Sequence, residues 1–429
     1  MRASLLTLCL LPSLALAQTS GDYRLDGRDS RDDPYTAEVS IQRVAGVWTL
    51  TRTMTHWADE DRVQRPVTWV ASKVEKSGPG ELRVRFGGKT GIAGLLDTTV
   101  NQVDRLDEPV YGTYTFTAGG ELEEALESAE PVGGKKGWEA AWARGGRDFP
   151  VLVLEREAKL EDLFGDGLSR YEASGVVRVG DELVMVFDNA RTVARVPLDL
   201  DPSGAELIET HGHGPSDFEG VTYDPLERRF YFVVEADRHH GELSARLWEL
   251  DADLTLDDKE WLPYEPPSRG KGFEGLTYVR RDGEDHLLAL LEGNHGKSDE
   301  RSVDRGHGKV VVFDRDKKDW AEVASFDLPP EAVFSDYSGI DVQGDRIAVV
   351  SQTSSLLWVG TLAPDRWEVV GPGRVLRFPR EHGVAVYASV EGVTWLSPDR
   401  VAVVSDRYHG KAEPAEAKDQ SVHLFRLPE

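Results

Sequence analysis

A short motif that occurs five times limits the possible folds of this chain more than any other feature. Its central glycines are Gly175, Gly220, Gly275, Gly339 and Gly392. The clearest copies are Phe218-Glu219-Gly220-Val221-Thr222-Tyr223 and Phe273-Glu274-Gly275-Leu276-Thr277-Tyr278. Self-similarity at intervals of roughly 40 to 60 residues is typical of a repeat architecture.

The sequence after each motif predicts three further strands. In the first repeat, for example, the motif is followed by apolar segments at 183–187 and 193–196. Four short strands per repeat are typical of a propeller blade. The last repeat ends one strand short, and residues 151–154 can supply the missing strand. We therefore expect residues 149–429 to form a five-bladed β-propeller whose two ends pair to close the ring.

Residues 18–148 predict a separate, small antiparallel β domain. Segments such as 35–41, 47–51 and 82–86 alternate apolar and polar residues and are bounded by glycine and proline. A β-sandwich and a lipocalin-like barrel both fit this pattern. No group of residues in this part of the chain indicates a chemical activity.

The first 17 residues have the features of a signal peptide. Arg2 precedes an apolar run that ends in Ala15-Leu16-Ala17, a typical cleavage site. The run is too short to span a bilayer. Cys9 lies within this segment, so the mature chain would contain no cysteine and no disulfide. A secreted or periplasmic protein is expected.

The net charge of the 429-residue chain is −26 at pH 7. Such a charge repels nucleic acids and anionic lipids, so neither class of partner is expected. A small anionic molecule could bind only through a cation that reverses the local potential. The remaining possibilities are such a molecule, held through a bound metal, or an unknown protein partner.

The residue before each motif glycine predicts a metal site on the propeller axis. These residues are Ser174, Glu219, Glu274, Ser338 and Glu391. Three carboxylates that converge on a narrow channel require compensating charge. Carboxylate and hydroxyl oxygens are ligands that Ca²⁺ accepts, with water completing its shell. The alternative is that these side chains only bond to neighbouring backbone at the strand ends.

The loops on the same face supply candidate catalytic residues. We predict that Asp188, Glu235 or Glu292 acts as a general base toward water and that Arg191 holds a phosphate group. These loops also contain eight of the eleven histidines: His211, His213, His239, His240, His295, His307, His382 and His409. For any single histidine, exposure to solvent is the simpler interpretation.

The order Ser, Glu, Glu, Ser, Glu resembles the calcium-activated nucleotidase (apyrase) family. The resemblance covers residues 165–429 and includes Phe187-Asp188-Asn189 in the first blade. It implies a five-bladed propeller with one axial Ca²⁺ held by the serine and glutamate residues of the motifs. Asn189 stands where the family has a second acidic residue, and Ala190 where it has an arginine. The glutamate-containing motifs also resemble, more loosely, propellers described as phytase-like or esterase-like.

Two functions from different classes follow from these features. The first is a Ca²⁺-dependent hydrolase of a phosphoanhydride or phosphoester. The second is a non-catalytic propeller that binds a ligand or a protein and uses calcium only for stability. No Gly-x-Ser-x-Gly sequence is present, so acyl-enzyme chemistry is not expected.

Overall fold

The computed structural model confirms an almost entirely β protein, and the chain divides into two compact units: residues 1–148 with 382–384, and residues 149–381 with 385–429. The described residues are 21–31, 34–44, 47–56, 67–78, 80–87, 109–116, 121–132, 138–147, 149–210, 217–239, 242–266, 272–294, 308–316, 319–329, 331–332, 334, 336–352, 354–381, 384–387, 389–408 and 417–429. The predicted signal peptide lies outside these ranges, so export stays a prediction. In the described ranges, no helix is both long and apolar enough to cross a membrane.

The first unit is a closed barrel of eight antiparallel strands, which decides between the two predicted β architectures. The strands are β1 (Gly21–Asp29), β2 (Pro34–Val44), β3 (Val47–His56), β4 (Val67–Gly78), β5 (Glu81–Phe86), β6 (Val110–Phe116), β7 (Leu122–Val132) and β8 (Trp138–Arg147). Each strand pairs with the next, and β8 pairs with β1. Closure removes both sheet edges.

The barrel interior contains one fully buried ion pair. The Arg52 guanidinium donates to both carboxylate oxygens of Glu124, at 2.8 and 2.9 Å. Tyr35 and Tyr114 also donate their hydroxyl protons to this carboxylate, at 3.0 and 2.7 Å. The other inward positions are mainly apolar, as the period-2 alternation predicts. The carboxylate is thus fully hydrogen-bonded inside an apolar core.

The second unit is a five-bladed propeller made of four-stranded antiparallel sheets. Blade 1 contains β10 (Ala173–Val179), β11 (Glu182–Phe187), β12 (Thr192–Pro197) and β13 (Glu206–Glu209). Blade 2 contains β14 (Phe218–Asp224), β15 (Arg229–His239), β16 (Glu242–Asp251) and β17 (Leu256–Trp261). Blade 3 contains β18 (Phe273–Arg281), β19 (Glu284–Asn294), β20 (Gly308–Asp316) and β21 (Asp319–Asp327).

Blade 4 contains β22 (Gly339–Gln343), β23 (Arg346–Ser351), β24 (Leu356–Thr361) and β25 (Arg374–Arg377). Blade 5 contains β28 (Val390–Ser397), β29 (Arg400–Ser405), β30 (Ser421–Arg426) and, as its outer strand, β9 (Val153–Lys159). Strands β26 (Arg380–Glu381) and β27 (Val384–Ala385) form a small separate sheet, and α1 (Leu160–Phe164) follows β9.

The ring closes as the sequence predicts, by pairing the two ends of the propeller region. Strand β9 lies antiparallel to β30, with Lys159 opposite Ser421 and Val153 opposite Arg426. The closing strand begins two residues later than the predicted segment 151–154 and extends to Lys159. The extension follows from β30, whose six residues offer a longer edge than four residues can cover.

Candidate functional site

The motif strands β10, β14, β18, β22 and β28 contact one another in sequence around the ring and therefore form the innermost strands. In four of the five blades, the residue before the glycine lies in a β-bulge. For example, Phe218 pairs with Val234 and Gly220 with Val233, which leaves Glu219 between the two pairs. A bulge redirects the side chain of the extra residue. The repeated bulge therefore places the predicted metal ligands at equivalent positions.

The five glycines form a ring in which the inner strands approach very closely. A Cβ atom added to Gly220 would lie 2.8 Å from the Leu276 nitrogen, and one on Gly275 would lie 2.9 Å from the Ile340 nitrogen. The contacts continue through Gly339 to blade 5 and from Gly392 back to Val176 of blade 1. Only glycine permits this spacing, which explains why it recurs in every copy.

The structure brings Ser174, Glu219 and Glu274 together around the channel. They line a narrow space of about 10 Å³, together with backbone of all five inner strands. This is about the volume that one water molecule needs. The N-terminal ends of the inner strands lie at this end of the channel, and we therefore call it the N-terminal mouth. It is defined by Ser174, Glu219, Glu274, Ser338 and Glu391.

The two serines of the N-terminal mouth bond to backbone of the next blade. Ser174 donates to the carbonyl of Phe218, and Ser338 donates to that of Val390 at 3.3 Å. These bonds agree with the alternative to metal binding, in which the motif side chains bond to neighbouring backbone at the strand ends. Each hydroxyl oxygen keeps lone-pair capacity, so the same serines can also accept a cation.

Glu391 lies at the centre of a concentration of negative charge. Burial raises its pKa well above the usual glutamate range, and the charges of Asp406, Glu274, Asp188 and Asp336 raise that pKa further. The Gln352 amide donates a hydrogen bond to Glu391, with Nε2 2.5 Å from Oε1. Carboxylates from blades 1, 3, 4 and 5 therefore act on one another at this end of the channel.

Two carboxylates beside Glu391 have pKa values near neutrality. Burial, followed by the charge of Glu172, raises the pKa of Asp188 to about 6. Burial also raises the pKa of Asp406 to about 7, and the charges of Asp188 and Glu172 add to the effect. Loss of hydration, together with repulsion between the carboxylates, therefore raises the pKa of both groups.

The same place contains acceptor atoms that lack donors. Oδ1 of Asp188, Oδ1 of Asn189 and Oδ1 of Asp406 are buried and have no hydrogen-bond partner among the described residues. Asp406 is only 7% exposed. A buried carboxylate oxygen without a donor is costly. A cation or an ordered water would remove this cost.

The side chains do not form a closed metal cage. Across the residues that the structure describes, no three histidine, aspartate or glutamate side chains converge closely enough to hold one metal ion. A cation at the N-terminal mouth would thus retain water or include serine and backbone oxygens among its ligands. Ca²⁺ accepts such mixed oxygen shells.

The predicted catalytic residues have different placements. Asp188 lies directly after β11. It belongs to the group of carboxylates that act on Glu391, which we call the acidic cluster: Asp188, Glu274, Asp336, Glu391 and Asp406. The backbone of Glu292 bonds to Gly272 and Tyr337, next to the motifs of blades 3 and 4. Glu235 lies in β15, but its side chain is outside the described residues, as are those of the eight loop histidines.

The predicted role of Arg191 in holding a phosphate group stays a prediction. Arg191 is exposed, and its charge acts on Lys259 in β17, the outer strand of blade 2. The cation beside the acidic cluster is Arg170, whose Nη1 lies 3.0 Å from Glu172 and whose charge lowers the pKa of Asp188. The prediction overlooked Arg170, although it lies only four residues before Ser174.

Comparison with known proteins shows likeness at the level of fold only. No protein-family model matches the chain, and no curated protein matches it. A glutaminyl cyclase from Myxococcus xanthus is 12% identical, with a TM-score of 0.37, and the alignment covers 66% of this chain and all of that one. An aldose sugar dehydrogenase from Streptomyces coelicolor, bound to PQQ, is 14% identical over 63% of this chain and 98% of that chain, with a TM-score of 0.35.

A de novo designed fluorescence-activating β-barrel aligns with 31% of this chain and 97% of its own, at 15% identity and a TM-score of 0.21. These likenesses assign no function, because their identities are low and their TM-scores lie below 0.5. The resemblance to apyrases therefore remains a prediction from the motif.

Proposed function

We propose that the N-terminal mouth of the propeller binds a divalent cation, Ca²⁺ by preference, and through it a small phosphorylated molecule. The observation that carries the proposal is the set of buried, donor-free carboxylate oxygens on Asp188 and Asp406 next to Glu391. Burial, and then repulsion between the carboxylates, raises the pKa values of all three groups, and a bound positive charge would offset both effects. The candidate ligands among the described residues are carboxylate and hydroxyl oxygens, which Ca²⁺ prefers.

The predicted ligands fit a cation that is only partly enclosed by protein. Glu219, Glu274 and Glu391 supply charge, and Ser174 and Ser338 supply hydroxyl oxygens. Because no three carboxylates converge on one point, water ligands would be needed, and a phosphoryl oxygen could replace one of them. This open arrangement supports binding of an anion at a site whose overall charge would otherwise repel it.

We further propose that the site hydrolyses a phosphoester or phosphoanhydride. The bound cation would polarise the phosphoryl oxygen. Asp188 is the best-placed general base, because its Oδ1 has no competing donor and it lies in the acidic cluster. It would take a proton from the attacking water, and the bond from phosphorus to the leaving oxygen would break. Arg170 is placed to orient the substrate phosphate beside Glu172.

Cation binding is tested by thermal melts after EDTA treatment, with Ca²⁺ or Mg²⁺ added back. A ligand that binds only the folded state stabilises it by about 2.7 kcal/mol at a hundredfold excess over Kd. We expect the melting temperature to rise with Ca²⁺ and the rise to disappear in Glu391→Gln. The exposed Glu182→Gln is the matched control and should respond as the unmodified protein does. An unchanged response in Glu391→Gln would refute the site.

Catalysis is tested separately by phosphate release from nucleotides, pyrophosphate and phytate. We expect Ca²⁺-dependent release that falls by about 10²-fold or more in Asp188→Asn, which removes the base. The exposed Asp166→Asn should retain activity. Stabilisation by Ca²⁺ without release from any substrate would favour the alternative, a non-catalytic propeller with a structural cation.

A further inference from the structure

The opposite end of the propeller channel contains a larger cavity that the proposed function does not use. Its volume is about 360 Å³, within the range of small-molecule sites. The cavity is lined by the second and third residues after the motif glycines. These are Val177, Arg178, Thr222, Tyr223, Thr277, Tyr278, Asp341, Val342, Thr394 and Trp395. We call this end the C-terminal mouth.

A ring of hydrogen bonds connects neighbouring blades at the C-terminal mouth. In four of the five blades, the side chain of the second residue after the motif glycine accepts a hydrogen bond from a backbone N–H of the next blade. That N–H belongs to the third residue after the glycine. Thr222 accepts from Tyr278 at 2.8 Å, and Thr277 accepts from Val342 at 3.3 Å. Asp341 accepts from Trp395 at 2.7 Å, and Thr394 accepts from Arg178 at 3.2 Å.

Asp341 has no capacity left for a ligand cation. Its Oδ1 accepts from Thr277 at 3.0 Å and from its neighbour Val342 at 2.8 Å. Its Oδ2 accepts from Thr394 at 2.9 Å and from Trp395. Four donors satisfy this buried carboxylate, so the only acidic side chain among the residues lining the cavity is fully used.

The ring is interrupted between blades 1 and 2. Blade 1 has Val177 where the other blades have threonine or aspartate. The equivalent donor in blade 2 is the Tyr223 N–H, and the valine side chain cannot accept a hydrogen bond from it. The hydroxyl groups of Thr277 and Thr394 each donate a hydrogen bond to the Asp341 carboxylate. The Thr222 hydroxyl accepts a bond from the Tyr278 N–H but donates none to a carboxylate of this ring. By the equivalence of the blades, the Tyr223 N–H is the donor that has Val177 in place of an acceptor, and the Thr222 hydroxyl proton has no carboxylate partner in this ring.

Further donors line the same cavity. Arg178 uses Nε on the Gly180 carbonyl at 2.8 Å and Nη1 on that of Leu396, which leaves Nη2 available. Arg280 also lines the cavity, and its Nη1 pairs with Asp285. The cavity thus offers donors and a guanidinium, whereas its one carboxylate is already saturated.

We propose that the C-terminal mouth is a second binding site, for a small oxyanion such as a phosphate or a carboxylate. An anionic oxygen would supply the acceptor that Val177 lacks, receive bonds from the Tyr223 amide and the Thr222 hydroxyl, and pair with Arg178. Charge-assisted bonds of this kind are the stronger ones in proteins. The site is independent of the cation at the N-terminal mouth, because the Arg178 guanidinium, rather than a bound metal, supplies the positive charge that offsets the acidic chain locally.

The test measures binding to the full chain by isothermal titration calorimetry at constant ionic strength and without added divalent cations. The probes are inorganic phosphate and succinate, with glucose as the neutral comparison. We expect one or both anions to bind and glucose not to bind. Arg178→Met should weaken anion binding at least tenfold, whereas Arg366→Met, at an exposed arginine outside the cavity, should leave it unchanged.

A second variant tests the interrupted ring directly. Val177→Thr has nearly the same shape and supplies the missing acceptor for the Tyr223 amide. We expect it to abolish anion binding while its melting temperature without ligand stays the same or rises. If Val177→Thr fails to fold, the comparison of Arg178→Met with Arg366→Met still tests the site. Binding that is unchanged in both Arg178→Met and the ring variant, or glucose binding as tightly as the anions, would overturn the proposal.

Discussion

At the scale of single residues, the five motif glycines are explained by distance rather than by backbone conformation. They lie where the inner strands of neighbouring blades approach too closely for any side chain. The residue before the glycine is directed by a bulge, and the residue two after it bonds to the next blade. One short motif therefore sets the ring spacing, the N-terminal mouth and most of the hydrogen-bonded ring at the C-terminal mouth.

The close approach of the inner strands predicts that Gly220→Ala destabilises the propeller. The new methyl group would lie 2.8 Å from the Leu276 nitrogen and 3.2 Å from Gly275, both of which are backbone and cannot rotate away. Overpacking of this kind costs about 1–3 kcal/mol. The measurement is chemical denaturation of the purified variant. Gly146→Ala in the barrel, where the methyl group would meet nothing within 4 Å, is the control. Equal stability of the two variants would contradict the explanation.

At the scale of structural elements, closure of the ring depends on the pairing of β9 with β30. Polar contacts support this pairing. Glu157 in β9 accepts from Lys418 at 2.6 Å and lies 3.3 Å from Nδ1 of His423 in β30. The proximity of His423, followed by the hydrogen bond from Lys418, lowers the pKa of Glu157 from 4.5 to about 2. The ionised glutamate therefore helps to hold the closing strand.

This pKa shift predicts how the contribution of Glu157 depends on pH. A carboxyl group whose pKa is lower in the folded state adds stability above its unfolded pKa and loses it as the pH falls through the folded pKa. Glu157→Gln should thus lower the melting temperature at pH 7. The difference from the unmodified protein should shrink between about pH 4.5 and pH 2. A difference that stays constant across this interval would show that the charge of Glu157 contributes nothing.

At the scale of the whole molecule, the barrel and the propeller each satisfy their own sheet edges. The barrel closes through β1 and β8 around its own core, and the propeller closes through β9 and β30. Closed sheets of this kind expose few unpaired backbone groups. Each unit therefore has the features of an independently folding domain.

Independent folding predicts that residues 149–429 form a stable protein when expressed alone. We expect a cooperative thermal transition and retention of any Ca²⁺ response, measured by circular dichroism. The matched comparison is residues 160–429, which lacks β9 and leaves the edge of β30 unpaired. That fragment should be less stable and should aggregate. If both fragments were equally stable, ring closure by β9 would not matter, and if 149–429 did not fold, the two units would depend on each other.

The sequence by itself determined the repeat, the number of blades, the closing strand and the equivalence of the five motif positions. These properties depend on local spacing, on strand alternation and on where only glycine fits, all of which can be recognised along the chain. The tertiary structure alone decided which charges meet. Asp406 acts on Asp188 because closure makes blades 5 and 1 neighbours, and Arg170 pairs with Glu172, whose charge acts on both. Electrostatic interactions depend on separation in space and on burial, and neither quantity can be obtained from position in the sequence.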